Sequence, residues 1–231
     1  MSILELHNIT KKFGSKVALD TIDLTLQPGR IVGLLGTNGS GKTTMIKLIN
    51  DLLTPDQGTI QIDGKKPGID TKKIVSYLPE RSYLDPGMKV KEVLDFFNDF
   101  YADFDMEKAQ ALLQDFSISL DSRIKTLSKG TREKVQLVLV MSRKAKLFIL
   151  DEPMAGVDPA ARDHILDTIL SSYDEKATIL ISTHLIADVE RVLDEVIFLD
   201  HGKITRQEEA DSLRIRTGKS IDQIFREDFR C

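Results

Sequence analysis

Hydrophobic positions along this chain follow two different periods. Residues 3–9 (ILELHNI) alternate apolar and polar, and residues 17–26 (VALDTIDLTL) alternate at Ile22, Leu24 and Leu26, so each predicts a half-buried β-strand. Pro28-Gly29 turns the chain into the apolar run Ile31-Val32-Gly33-Leu34-Leu35, and residues 58–63 (GTIQID) predict a short strand closed by Gly64. The opening third is therefore β-rich, with one helix after residue 42. Between Val90 and Phe116 the spacing becomes helical. Val93, Leu94, Phe97 and Tyr101 share one face, and Ala109, Leu112, Leu113 and Phe116 share another, with a break near Asp103-Phe104-Asp105. This predicts two amphipathic helices, whose aromatic stripe is core packing or, failing that, a partner-docking surface.

Further on, EKVQLVLVMSRKA (133–145) predicts a helix, Leu147–Leu150 a buried strand, Pro159–Tyr173 a helix, ATILIST (177–183) a second buried strand and Leu185–Leu193 a helix. EVIFLDHGKI predicts a strand hairpin with His201-Gly202 at the turn, and from about Glu208 the chain is polar and helix-like. Apolar strands alternating with helices predict an α/β fold whose sheet is mostly parallel and covered on both faces. There is no internal repeat, low-complexity tract or flexible linker.

Composition narrows the classes. With 231 residues, 41% of them hydrophobic and 29% charged, the chain is long enough for one large α/β domain or two small ones. A net charge of -4 argues against a dedicated nucleic-acid binder. The single cysteine, Cys231, excludes an intramolecular disulfide and a thiolate zinc cluster. MSILELHNITKKF lacks the apolar core of a signal peptide, and no segment approaches the roughly 18 apolar residues of a membrane span. Any membrane role is expected to be peripheral, through a partner.

The chemistry starts at residues 36–44, GTNGSGKTT. A strand running straight into G-x-x-x-x-G-K-[ST] is a phosphate-binding loop. Gly36, Gly39 and Gly41 allow successive N–H groups to curl round an anion. Asn38, Ser40 and Thr44 belong to the same cradle. Lys42 adds a point charge, Thr43 offers a hydroxyl to Mg²⁺, and the helix beginning near Lys42 turns its positive end to the phosphates. A second element is LFILDEP, residues 147–153. A buried strand ending in Asp151 brings a carboxylate to the Mg²⁺ side of a nucleotide. Glu152 faces differently because strand side chains alternate, which suits polarising a water molecule.

Three further segments are TLSKGTREKVQ (126–136), AGVDP (155–159) and ILISTH (179–184). In this order the five motifs resemble the ATP-binding subunits of ABC transporters, over about residues 3–205. The resemblance implies a P-loop NTPase core with a mostly parallel sheet, an N-terminal antiparallel β subdomain and an α-helical subdomain inserted at about 85–140. It implies an ATPase domain over 1–207 and a short helical appendage over 208–231. It also implies the remaining roles. Phe13 stands where the family stacks an aromatic ring on adenine. Glu80 stands where the family usually has the glutamine that reaches Mg²⁺ and couples to the membrane partner. Ser128 and Gly130 correspond to the signature pair that contacts the γ-phosphate held by a second subunit, Asp158 to an interface aspartate, and His184 to the histidine that bonds the γ-phosphate. Catalysis would rest on Glu152, His184 and Lys42, and Mg²⁺ on Thr43, Glu80 and Asp151. His7, His164 and His201 match nothing and are read as surface or core histidines.

Two positions depart from the family pattern. LSGGQ reads LSKGT, with Lys129 and Thr131 substituted, and Glu80 replaces glutamine. The LSKG form is similar to subunits of ABC-2-type exporters. The implied activity is Mg²⁺-dependent ATP hydrolysis, with two ATPase subunits closing head to tail. A separate transmembrane permease would follow that motion, with this chain on the cytoplasmic face of the membrane. The partner ATPase would be a second copy or a different subunit, and no nucleic acid is expected. Two readings compete: a soluble ABC-type ATPase acting on ribosomes, DNA or protein complexes, and a module that uses ATP as a switch with little turnover. The substrate is not readable from this chain.

Overall fold

The structure, a computed structural model, describes residues 1–229; Cys231 lies outside the described residues. In chain order the elements are β1 (Leu4–Phe13), β2 (Lys16–Leu26), β3 (Ile31–Leu35), α1 (Lys42–Ile49), β4 (Gln57–Ile62), α2 (Ile69–Lys72) and β5 (Val75–Leu78). Then come α3 (Val90–Phe100), α4 (Met106–Asp115), α5 (Lys129–Met141), β6 (Leu147–Asp151), α6 (Pro159–Ser172), β7 (Thr178–Thr183) and α7 (Ile186–Val189). β8 (Glu195–Asp200), β9 (Lys203–Glu209), α8 (Ala210–Thr217) and α9 (Ile221–Asp228) complete it.

The strands form two sheets. β2-β1-β4 is three-stranded and antiparallel, and the larger sheet runs β5-β6-β7-β3-β8-β9. In the larger sheet every neighbouring pair is parallel except the hairpin β8–β9. The α/β fold, with its antiparallel N-terminal sheet, mostly parallel core sheet and helical insertions, is thus the one expected. The central strands β3, β6 and β7 are buried at every position. That is why they read as unbroken apolar runs: a sheet covered on both faces has no polar side. Full burial of each Leu, Ile or Phe contributes about 1.5–3 kcal/mol.

The break expected near residues 103–105 is a helix start. Asp105 caps α4, its carboxylate accepting the Lys108 N–H at 3.0 Å. Several expectations shift. The helix expected at 133–145 begins earlier, at Lys129, capped by Ser128, and ends at Met141. Its first turn is polar and, past the exposed Lys129, half-buried, so no apolar periodicity marks it. Residues 185–193 hold only the short α7 and a 3₁₀ turn at Glu190–Val192. Strand β5 was not foreseen. β1 runs past residue 9 to Phe13, with register shifts after Leu6 and Ile9 that break the alternation. At the C-terminus, Ala210, Leu213, Ile221, Ile224 and Phe225 are buried in the same apolar cluster as β7 and α5.

Candidate functional site

The ends of β3, β6 and β7 converge, and the side chains just beyond them make the site. Gly36 follows β3, and an added Cβ there would lie 2.5 Å from both the Leu199 carbonyl and the Ser40 hydroxyl. Gly41 has φ 114° and an added Cβ would meet the Ala18 carbonyl at 2.7 Å. Both positions are therefore closed to other residues, which is why the loop is glycine-rich. Helix α1 starts at Lys42 as the sequence predicts.

Lys42 is buried. Its ammonium donates to the carbonyls of Gly36 at 2.8 Å and Thr37 at 3.2 Å and lies 3.8 Å from the Glu152 carboxylate. Burial pushes its pKa below the ordinary lysine value, while the charges of Glu152, Asp151 and Glu80 act the other way. Those three carboxylates thus act on one ammonium. Asn38 and Gly39 are exposed at the loop tip, Thr43 and Thr44 are half-buried, and Ser40 is buried with no partner for its hydroxyl.

Asp151 ends β6 and is 1% exposed. The Ser182 hydroxyl donates to one of its oxygens; the other is buried without a hydrogen-bond partner. Burial raises this carboxyl above its ordinary value, the hydroxyls of Ser182 and Thr43 favour the ionised form, and the charges of Glu80 and Glu152 oppose it. An orphaned carboxylate oxygen beside a threonine hydroxyl fits a hard cation that takes one or two protein oxygens and completes its shell from phosphate and water. No group of three acidic, His or Cys side chains that could hold a metal on their own exists among the described residues.

Glu152 has φ 53°, a left-handed conformation that costs a non-glycine residue about 1–3 kcal/mol and persists only where its surroundings fix it. Here the Glu152 N–H donates to Ser182 O at 2.9 Å. The Thr183 hydroxyl donates to its carboxylate at 3.1 Å, and His184 Nδ1 lies 3.0 Å from the other carboxylate oxygen. Glu80, exposed just after β5, acts electrostatically on Lys42, Asp151 and the Tyr77 hydroxyl. Lys42, Thr43, Glu80, Asp151, Glu152 and His184 are thus gathered in one place.

The other expected residues stand apart. Phe13, 49% exposed, ends β1 with the Lys11 ammonium 5.6 Å from its ring centre. The Ser128 hydroxyl caps α5 through the Thr131 N–H at 3.1 Å. Gly130 is half-buried, and an added Cβ there would be 3.8 Å from the Gly156 carbonyl. Asp158 is exposed at the start of α6, its carbonyl accepting the Ala161 N–H. No hydrogen bond or ion pair among the described residues joins these to Lys42 or Glu152. His7, His164 and His201 are exposed and bear on none of this.

Ser182 and Thr183 were missed by sequence reasoning. Two hydroxyls closing an apolar strand two residues before His184 were the available signal, and the register pairs Asp151 with Ser182.

A family model described as ABC transporter matches residues 19–155, more than half of the chain. The chain belongs to the ABC transporter family. It is an ATP-binding subunit: it is 32% identical over 217 residues to the ABC transporter ATP-binding protein YtrB of Bacillus subtilis, an alignment covering 92% of this chain and 74% of that one. It is 31% identical over 210 residues to a Nod factor export ATP-binding protein I of Cupriavidus metallidurans, covering 87% and 69% respectively. Among solved structures, an ATP binding subunit of an ABC transporter superposes with a TM-score of 0.86 at 29% identity, covering 98% of this ATP-binding subunit and 99% of that chain. No helix among the described residues is long and apolar enough to cross a membrane.

Proposed function

We propose that this chain hydrolyses ATP with Mg²⁺ to power export through a separate transmembrane permease. In this reading two ATPase subunits, identical or different, close head to tail on the cytoplasmic face of the membrane, residues 1–207 forming the ATPase unit. The observation that carries it is the meeting of Lys42, Glu152 and His184 beside the half-satisfied Asp151.

Each residue has a role. Phe13 stacks on adenine, as a flat, half-exposed ring can. The backbone of Gly36, Asn38, Gly39, Ser40 and Gly41, with Lys42, Thr43 and Thr44, cradles the phosphates. Thr43 and Asp151, with Glu80, would hold Mg²⁺, which would supply positive charge to neutralise the phosphate oxygens. Glu152 orients and polarises the attacking water, and His184 steadies the γ-phosphate. Ser128, Gly130 and Asp158 stand apart from this group, which suits residues that serve the site of a facing subunit. Glu152 is engaged by Lys42, Thr183 and His184, which fixes the direction of its carboxylate.

The name of the Nod factor export relative supports the export direction. The test is a tagged pull-down from detergent-solubilised native membranes. Stoichiometric recovery of a multi-spanning protein is the expected result. Recovery only in the soluble fraction, with ribosomes, DNA or no partner, would favour a soluble ATPase instead.

A further inference from the structure

Arg143 is the most heavily bonded side chain in the structure that the proposed mechanism does not use. It sits just past the end of α5, and its side chain is 3% exposed. Its guanidinium makes five hydrogen bonds. Two go to the Asp103 carboxylate, at 3.1 Å each. Three go to backbone carbonyls from the end of α2 to the first residue of the edge strand: Val75 at 2.6 Å, Lys73 at 3.0 Å and Lys72 at 3.3 Å. One face of the group lies 3.9 Å from the centre of the Tyr101 ring. The main chain adds to the junction, for the Lys144 N–H donates to Asp103 O and the Asp105 N–H to Ser142 O. A planar fork of N–H donors suits this arrangement, Nη2 serving three of the five acceptors and so sharing one hydrogen between two.

Three site-bearing elements meet at that junction. α5 leads back from Arg143 to Ser128, about 20 Å away at 1.5 Å per residue. β5 leads from Val75 to Glu80. β6 starts four residues after Arg143, pairs Leu147 with Val75, and ends in Asp151. Asp103 and Tyr101 belong to the link between α3 and α4. Contacts close a ring through them: Tyr101 packs on Phe97 with ring centres 5.5 Å apart, and Phe97 stacks with Tyr83 at 6.4 Å. Tyr83 lies three residues beyond Glu80. The helical insertion is thus fastened to the sheet at the end remote from the nucleotide residues, while Ser128 at the other end of α5 is exposed.

We infer that Arg143 is a positioning residue, fixing the α3–α4 link and the end of α5 to β5 and so setting where Ser128 and Glu80 stand relative to Asp151 and Glu152. The inference rests on the ATPase reading proposed above. Lys42 and its loop hang from β3 and α1, which Arg143 does not touch. Its loss should therefore spare nucleotide binding and reduce the efficiency of the closed site.

The test uses the full chain, with circular dichroism confirming that each variant is folded at the assay temperature. Nucleotide affinity is measured by titration with MgATP without turnover, and kcat at saturating MgATP. For Arg143→Gln the expected result is a Kd within about twofold of wild type and a kcat lower by about fivefold or more, since displacement of reacting groups by a fraction of an ångström is costly. Arg143→Lys, which keeps the charge but not the fork, should recover part of the loss. A general loss of structure would lower affinity as well and show no such split. If Arg143→Gln does not fold, Asp103→Asn decides: its carboxylate is about one quarter exposed, and a reduced kcat with unchanged Kd is expected. A folded variant with wild-type kcat, or a Kd weakened in proportion to activity, overturns the inference. A wild-type chain that hydrolyses no ATP overturns both it and the ATPase reading, so the two failures are distinguishable.

Discussion

The carboxylate of Glu152 and the imidazole of His184 meet 3.0 Å apart, although one follows β6 and the other follows β7. Two neighbouring parallel strands, each with an apolar interior and polar residues at its end, deliver them together. The left-handed backbone at Glu152 turns its side chain out of the sheet toward the histidine, and the Thr183 hydroxyl holds the second carboxylate oxygen. The proposed general base and the histidine beside it are thereby in direct contact.

Asp151 works against the fold that holds it. Burial raises its pKa, so the protonated form is the one the folded chain favours. Its contribution to stability is fully present below its ordinary range near 3.8 and is lost as pH rises through the raised native value. At neutral pH the ionised group costs stability. Asp151→Asn is therefore expected to raise the unfolding midpoint of the chain at neutral pH and to abolish Mg²⁺-dependent turnover. Differential scanning calorimetry with and without MgATP checks both halves, and a lower midpoint for the variant would contradict the electrostatic assignment.

Gly36 leaves no room for a side chain, since an added Cβ would press on the Leu199 carbonyl and the Ser40 hydroxyl. A backbone carbonyl cannot swing aside as a flexible side chain can. Gly36→Ala should lose about 1–3 kcal/mol of stability and bind ATP more weakly, because the loop must shift to admit the methyl group. Chemical denaturation and nucleotide titration measure the two effects. Wild-type affinity in the variant would show that the loop tolerates the displacement.

Much of this was legible in the sequence, and the exceptions have physical causes. The strands β3, β6 and β7 announce themselves because both their faces are covered and, up to Asp151 at the end of β6, their positions are apolar or small. β5 does not. Its segment VSYL contains Ser76, which is buried only because its hydroxyl donates to the Val140 carbonyl at 2.9 Å, and Tyr77, half-buried near the acidic groups. A polar residue satisfied by a distant element looks in sequence like a loop residue. The start of α5 is hidden for a different reason: the KGTREK segment is polar, half-buried beyond Lys129, and carries no apolar stripe. At the site, motif spacing singles out Lys42, Asp151, Glu152 and His184, which contact or act on one another. The partnerships of Ser182 with Asp151 and Thr183 with Glu152 depend on the register of β6 against β7, which only the folded sheet defines.

Ser128 stands exposed at the start of α5, its hydroxyl occupied only by the cap to Thr131. If that end of the helix closes the site of a facing subunit, a bulky cation there should prevent closure without harming the fold. Ser128→Arg is expected to bind ATP as a monomer with wild-type affinity and to remain monomeric in MgATP when hydrolysis is blocked. Analytical ultracentrifugation reads the outcome. ATP-dependent dimers of the variant would count against head-to-tail closure.

The central claim is that Glu152 performs the chemistry on a nucleotide held by the neighbouring loop. The most direct measurement is the pair of MgATP affinity and steady-state turnover for Glu152→Gln beside wild type. Glutamine preserves the size of the side chain and a hydrogen bond to His184, but cannot polarise water as a carboxylate does. The expected result is affinity within about twofold of wild type and turnover reduced roughly 100-fold or more, the usual contribution of a positioned general base. Turnover near the wild-type rate in a variant that still binds ATP would contradict it.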